Sequence, residues 1–266
     1  MKIGFIGTGN MGGALARAAA KGGHTLLLAN RTPAKAEALA KELCGTVCPN
    51  AVAAEAAELL FLGVKPQGLP GLAGELAPVL QARKGNAPVV VSMATAVTLR
   101  ELDAMLGGGL PLIRIMPNTP AAVGAGTILY AAQNVTDAQL NAFRAVLAQA
   151  GLLLPLPEAQ IDAASAISGC GPAFCFQFAD ALALGGVRAG LSYPDACRLA
   201  AQTMLGAAEM LLQGGEAPDV LKMRVCSPAG TTIEGVLALE QGGFSYTVQN
   251  AVTAAYRRTV EMTKKG

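Results

Sequence analysis

Two stretches of the chain carry residue types and spacings that could do chemistry. Near the start, Gly7-Thr8-Gly9-Asn10-Met11-Gly12 has the G-x-G-x-x-G spacing, with the apolar run Ile3 to Ile6 before it and the Ala-rich pattern Ala14 to Ala20 after it. Gly7 permits a sharp turn from strand to helix, Gly9 lets a pyrophosphate approach the backbone, and Gly12 lets helix and strand pack closely. The helix start then offers free N–H groups and a positive dipole end to an anion. A glycine-rich turn alone occurs in many α/β proteins. The strand before it and the helix after it point to a dinucleotide.

Towards the other end, Cys226-Ser227-Pro228-Ala229-Gly230-Thr231-Thr232 leads into the helical pattern Ile233 to Glu240. Hydroxyls and the free N–H groups of a helix start meet there, which suits a small anion. A carboxylate is the natural candidate beside a nicotinamide. A plainer reading competes with this one, in which Thr231 or Thr232 is simply the N-cap of an ordinary helix.

Composition narrows what else the chain could be. Its 266 residues suggest two modest domains with a sizeable core. A net charge of +2, with 14% charged residues and no Lys/Arg run longer than a pair, argues against a nucleic-acid partner. The chain is 52% apolar. Even so, Gly, Pro or charge interrupts every stretch of about 18 residues, so no membrane span is expected. Asn10, the glycines and Arg17 likewise break any signal-peptide core within Met1 to Ala20. The six cysteines form no C-x-x-C pair and read as reduced thiols of a cytoplasmic protein. With His24 the single histidine, a His-based triad or His-ligated metal is nearly excluded, and no metal is expected.

The elements that must position these stretches alternate regularly. The second strand, Thr25 to Ala29, ends at Asn30-Arg31, the place where an acidic residue would hold a ribose 2′-hydroxyl and repel a 2′-phosphate. A neutral amide and a guanidinium there favour NADPH. Thr32-Pro33 opens a helix to about Leu43, and short elements follow at Thr46-Val47 and Asn50 to Ala57. The fully apolar Leu59 to Val64 suits the centre of a parallel sheet and brings Lys65 to its carboxyl end. Further strands are expected at 88–93, 112–116, 127–130 and 152–156, with capping boxes at Thr98 to Glu101 and Thr136 to Gln139 opening helices.

From Glu158 onward only helices are expected, so the fold class is an N-terminal Rossmann-type doubly wound sheet, residues 1–157, followed by an all-α C-terminal domain, residues 158–266. Ala173 to Leu184 and Ala196 to Leu212 are apolar nearly all round. Helices of that kind must be buried on every face, and a hundred or so residues of helix cannot do this alone. A homodimer through the helical domain follows, and further assembly is left open. Lys264 and Lys265 are expected to complement the dipole of the last helix.

Taken together, the motifs resemble those of the pyrroline-5-carboxylate reductases along the whole chain. They are the Phe5 to Gly12 start, Val64-Lys65-Pro66, RIMPNTP at Arg114 to Pro120, SGCGPA at Ser168 to Ala173, GGVRAGL at Gly185 to Leu191, and CSPAGTT at Cys226 to Thr232. The last three are the specific ones, since generic dehydrogenases of this fold lack them. The resemblance implies reduction of the cyclic imine 1-pyrroline-5-carboxylate to L-proline with NAD(P)H, the last step of proline biosynthesis. It makes Ile6, Gly7, Thr8, Gly9, Asn10 and Met11 the phosphate turn and Asn30 with Arg31 the 2′-phosphate contact. Asn50, Gly63, Val64, Lys65, Met93, Ala94 and Thr95 would line the rest of the cofactor, and Ser227, Gly230, Thr231 and Thr232 would take the substrate.

The chain departs from this family at Ala229, where a second glycine is usual, and at Leu184, where Asp is common. If position 229 needs a positive φ, Ala strains it. A pre-protonated imine asks only for orientation and a hydrogen-bond partner, and Thr232 Oγ1 is the candidate catalytic group. A β-hydroxyacid dehydrogenase also joins such a glycine turn to helices, but it needs a lysine beside the nicotinamide, and Lys222 is not in matching surroundings. A non-catalytic NADPH sensor would not need the Ser227 to Thr232 loop.

Overall fold

The computed structural model describes residues 1–83 and 85–263, so Lys264 and Lys265 lie outside the described residues. By packing, the chain divides into two compact units, Met1–Gly169 with the end of the chain from Tyr256, and Cys170–Ala255.

The first unit alternates strand and helix: β1 (Lys2–Ile6), α1 (Asn10–Ala20), β2 (Thr25–Ala29), α2 (Pro33–Leu43), β3 (Thr46–Val47), α3 (Asn50–Ala56), β4 (Leu59–Leu62), α4 (Leu69–Ala82), β5 (Val89–Ser92), α5 (Leu99–Met105) and β6 (Leu112–Pro117). It closes with β7 (Gly126–Gln133), α6 (Asp137–Leu147), β8 (Gly151–Pro155) and α7 (Glu158–Ser168). The eight strands lie in the order β3-β2-β1-β4-β5-β6-β7-β8, so the order reverses direction between β1 and β4. Ligands of open α/β sheets bind outside the carboxyl ends of the strands at such a reversal.

Alternation along the strands sends side chains into two cores. Ile3, Phe5, Leu28, Phe61, Val91 and Ile115 meet α1, α2 and α6 on one face. Ile6, Leu60, Leu62 and Val90 meet α3, α4, α5 and Ile161 of α7 on the other. Phe5 and Phe61 stack with ring centroids 4.5 Å apart across the β1/β4 pair. Cover on both faces is why β4 and β5 are buried at every position and read as continuous apolar runs.

One strand breaks the parallel pattern that the alternation suggests: β7 runs antiparallel to β6. Between them residues 118–125 hold only a 3-10 turn, Thr119–Val123, too short for the crossover of about a dozen residues that a parallel return requires. The chain doubles back at Gly124, whose φ of 79° is left-handed.

Packing also keeps α7 with the sheet, whereas the proline pair Pro155 and Pro157 suggests a division ahead of it. Ile161 is fully buried in the sheet's core, and Asp162 pairs with Arg114 of β6 at 2.6 Å. Such long-range ties have no local signature in the sequence.

The second unit holds α8 (Gly171–Arg188), α9 (Tyr193–Gly214), α10 (Pro218–Arg224), α11 (Thr231–Gln241) and the first part of α12 (Phe244–Thr263). Helices α8 and α9 pack as a hairpin, and Phe178 meets Phe244 at 5.6 Å between centroids. Among the described residues of this unit only Ala183, Ala196 and Ala200 are fully buried side chains. Phe176 is 70% exposed and Leu212 79%. The stretch Glu158–Arg188 is, by length and composition alone, apolar enough to cross a membrane, although Asp162, Gly169, Gly171, Pro172 and Asp180 interrupt it as expected. It is two helices separated by a turn at Gly169-Cys170, and it carries the ion-paired Asp162.

Candidate active site

The carboxyl ends of β1, β4, β5 and β6 surround one cavity of about 410 Å³, lined by Gly9, Asn10, Met11, Gly12, Gly63, Val64, Lys65, Pro66, Met93, Thr95, Met116 and Pro117. Its size falls within the roughly 300–1,000 Å³ of small-molecule sites. A larger depression of about 740 Å³ lies at the amino ends of the strands, around Lys2, Glu55, Glu58 and Arg83. There the Arg83 guanidinium is already committed to the carbonyls of Ala54 and Ala57, at 2.7 and 2.8 Å. The cavity at the carboxyl ends is therefore the candidate site.

Its floor is built from close backbone approach. A Cβ on Gly12 would overlap the Gly7 carbonyl oxygen, and one on Gly7 or Gly63 would strike the other's backbone; Gly7 also has a φ of 98°. No residue but glycine fits these contacts. Gly9 has open space where its Cβ would be and caps α1 without a side-chain hydrogen bond. The first N–H groups of α1 thus remain without an intrahelical or side-chain partner, as an anion would require. Beneath the turn the Thr8 hydroxyl is buried with no protein partner. A dinucleotide pyrophosphate fits this cradle, and no acidic side chain lines it.

Most of the residues expected around a cofactor come together here. Gly9, Asn10, Met11, Gly63, Val64, Lys65, Met93 and Thr95 line the cavity, while Ile6 and Ala94 are buried behind it. Asn30 has a structural task besides the one expected of it. Its side-chain oxygen accepts the Thr8 N–H at 3.0 Å and its amide donates to the Thr32 carbonyl at 2.9 Å. Both ends of the amide are engaged in fixing the glycine turn against the end of β2. Arg31 is exposed beside it. Asn50 does not line the cavity, and its amide donates to Glu75 of α4 at 3.0 Å.

Sequence reasoning passed over Pro66, Met116 and Pro117 as lining residues. The signal was present, since Pro66 follows Lys65 directly and Met116-Pro117 end a strand of the same sheet. Asn118, next along the chain, does not line the cavity and has a structural task. It is 7% exposed, accepts the Thr127 N–H at 2.8 Å and donates to the Ser168 carbonyl at 2.8 Å, which ties the β6/β7 turn to the end of α7.

In the second unit, the loop expected to hold an anion is a turn closed by Gly230 N–H donating to the Ser227 carbonyl at 3.0 Å, with Pro228 and Ala229 at its corners. Ala229 has a φ of 55°, the left-handed conformation in which glycine is usual. Gly230, with neither threonine at that position, is the N-cap of α11, and it makes no side-chain cap hydrogen bond. The plainer reading of Thr231 or Thr232 as N-cap is thereby corrected. Thr231 and Thr232 stand in the first turn with exposed side chains, next to exposed Ser227. Elsewhere in the unit, Tyr193 donates to Asp180 at 2.8 Å, and that bond, with Cys197 beside it, pushes its phenol up to about 12.

Comparison with known proteins bears on both units. Residues 158–262 match the family model for pyrroline-5-carboxylate reductase dimerisation, and residues 2–96 match that for coenzyme F420-dependent NADP oxidoreductases. A pyrroline-5-carboxylate reductase of Synechocystis sp. is 39% identical over 100% of this chain and 99% of its own length. The chain belongs to the pyrroline-5-carboxylate reductase family. It is thus an oxidoreductase with a nicotinamide-dinucleotide domain and a C-terminal dimerisation segment. Among solved members, that of Coxiella burnetii superposes with a TM-score of 0.90 at 31% identity, covering 97% of both chains. The Plasmodium falciparum reductase, solved with NADP bound, superposes with a TM-score of 0.85 at 29% identity, covering 99% of this chain and 98% of its own.

Proposed function

We infer that this chain reduces the cyclic imine pyrroline-5-carboxylate to proline, the last step of proline biosynthesis, and that it prefers NADPH to NADH. It works in the cytoplasm as a homodimer built through the C-terminal helices. The observation that carries the reading is a helix start with free threonine hydroxyls, at Thr231 and Thr232, in the same chain as a backbone-built nucleotide cradle.

When bound, the dinucleotide supplies a hydride to the imine carbon. The first-turn N–H groups of α1 would hold its pyrophosphate, with Lys65 at the rim. The Asn30 amide, engaged with Thr8 and Thr32, has a second N–H for a 2′-phosphate, and Arg31 beside it supplies the charge. In the second unit, Ser227, Gly230 and Thr231 offer the substrate carboxylate hydroxyls and uncapped N–H groups, while Thr232 Oγ1 hydrogen-bonds the ring nitrogen. A threonine is too weak an acid to be the proton source unaided, so Thr232 positions or relays. The apolar faces of α8 and α9 meet a second copy of the chain, a reading supported by the dimerisation model over 158–262 and by the scarcity of buried side chains in this unit.

Oxidation of NADPH in the presence of pyrroline-5-carboxylate tests the activity. Thr232→Ala tests the site: kcat/KM should fall about 10- to 1000-fold, the scale of one buried bond to a reacting group, with NADPH affinity nearly unmoved. A loss equal at low and high pH identifies positioning; a loss that grows as pH rises, and the free imine sheds its own proton, identifies a relay. Unaltered kinetics in Thr232→Ala across that range would place the chemistry elsewhere.

A further inference from the structure

One wall of the nucleotide cavity is the loop from Met93 to Thr98, between β5 and α5. Its backbone is unusual at Ala96, whose φ of 62° is left-handed for a residue with a Cβ. Such a conformation persists only where its surroundings hold it. At the cavity end the hold is local, an Ala94 N–H to Ser92 hydroxyl contact of 3.3 Å. At the far end the Thr98–Glu101 capping box is joined by a bond from across the fold: the Leu99 N–H, first in α5, donates to Glu158 Oε1 at 2.7 Å. Glu158 is the first residue of α7.

The same Glu158 oxygen faces Arg114 Nη1 at 3.4 Å, while Arg114 Nη2 donates to Asp162 Oδ1 at 2.6 Å. Arg114 is 3% exposed and lies on β6, two positions before Met116, which lines the cavity opposite the glycine turn. The two carboxylates therefore have different duties. Asp162 makes the short bond to the buried guanidinium, whereas the short bond of Glu158 goes to the backbone at the end of the cavity loop.

We propose that Glu158 is a positioning residue for the nicotinamide dinucleotide, a strut that sets the Met93 to Thr98 wall through the Leu99 N–H. The proposal rests on the assignment of this cavity to NADPH. A loop misplaced by a fraction of an ångström weakens the bound geometry without removing any group that touches the ligand. The effect should thus fall on cofactor binding more than on turnover at saturation.

The test is a set of substitutions in the full-length protein, read by NADPH titration and by steady-state kinetics. Glu158→Asp withdraws the carboxylate from Leu99 while Arg114 keeps its short bond to Asp162 and a negative charge nearby, so the fold is retained. It should raise Kd and KM for NADPH about 3- to 30-fold, with kcat within about twofold. Glu158→Gln keeps an acceptor oxygen at full reach and should restore most of that loss. Asp162→Asn alters the partner of Arg114 but leaves the Leu99 bond, so it should lower thermal stability with KM for NADPH nearly unchanged. Wild-type NADPH affinity in Glu158→Asp would overturn the proposal, as would an equal rise in KM for Asp162→Asn. Failure of the unsubstituted protein to bind NADPH would instead overturn the assignment of the cavity itself.

Discussion

The two units solve the same problem, burial of apolar surface, in opposite ways. In the first, both faces of the sheet are covered from within the chain, and Ile3, Phe61, Val90 and Ile115 reach essentially zero exposure. In the second, the helices are just as apolar, yet the only fully buried side chains among the described residues are three alanines. Burial contributes about 25 cal/mol per Å² of apolar surface removed from water, so leaving Phe176 and Leu212 in solvent forgoes several kcal/mol that the first unit keeps. The lesson is that apolar pattern gives the sum of what must be buried, while sheet or helix architecture decides whether one chain can bury it.

The sharpest way to break this comparison is to change the exposed apolar surface of the second unit. On an ordinary surface, Phe176→Asp would shift stability by less than about 0.5 kcal/mol. Here it should weaken assembly by several kcal/mol, on the scale of an interface hot spot, and make thermal unfolding depend on protein concentration. Light-scattering mass over a dilution series checks this. An unchanged mass with an unchanged unfolding midpoint would mean that the helical unit stands alone after all.

A second test sharpens the contrast within the first unit, between a cradle made of backbone and a rim made of side chains. Arg31→Ala should weaken NADPH binding by about 1–3 kcal/mol and leave NADH nearly as it was, because one charge-assisted bond to the 2′-phosphate is lost while the glycine turn is untouched. Equal losses for the two cofactors in paired titrations would show that Arg31 supports the turn and does not read the phosphate.

The third test concerns a helix start that is capped, against the uncapped starts of α1 and α11. Thr98 and Glu101 form a reciprocal capping box at α5, with Thr98 N–H donating to Glu101 at 2.8 Å. Those bonds, from the Thr98 backbone and then its hydroxyl, hold the Glu101 carboxyl below its ordinary value. A group depressed in the folded state stabilises above its unfolded pKa and loses that contribution as pH falls through the folded one. Glu101→Ala should therefore cost about 1 kcal/mol near neutrality, and the gap to wild type should close as pH drops below about 4. A gap independent of pH in denaturant titrations would mean that the carboxylate is not what caps.

What was legible in the sequence follows the same division between local and long-range causes. The glycine turn, both capping boxes and the order of elements depend on residues close in sequence, and all are in the structure. The antiparallel β7 was not legible, because strand direction here follows from a turn too short for a helix. Nor was the docking of α7, since nothing near Glu158 announces Leu99 or Arg114. Asn30 illustrates the boundary: its position at the end of β2 was evident, but its engagement with Thr8, 22 residues away, depends on the sheet that joins them.

The smallest expected effect lies in the Ser227 to Thr232 loop proposed to take the substrate, and tests whether the second unit tolerates strain for a purpose. Ala229 sits at a φ of 55°, at the third position of the turn that delivers Gly230, Thr231 and Thr232 to the start of α11. A left-handed conformation costs a residue with a Cβ about 1–2 kcal/mol. Glycine would remove that cost but would bring more freedom to the unfolded chain, worth roughly 0.4–1 kcal/mol in the opposite direction. Ala229→Gly should therefore stabilise the protein by roughly 0–1.6 kcal/mol, centred below about 1 kcal/mol. The kinetic consequence separates two roles for the turn. If its shape is set by the Gly230 to Ser227 hydrogen bond, kcat/KM in Ala229→Gly stays at the wild-type value. If alanine's stiffness holds the threonines in place, the more stable variant is the slower one. A loss of stability in Ala229→Gly would show that this turn is not left-handed at 229, and that the Ser227 to Thr232 loop presents its hydroxyls differently.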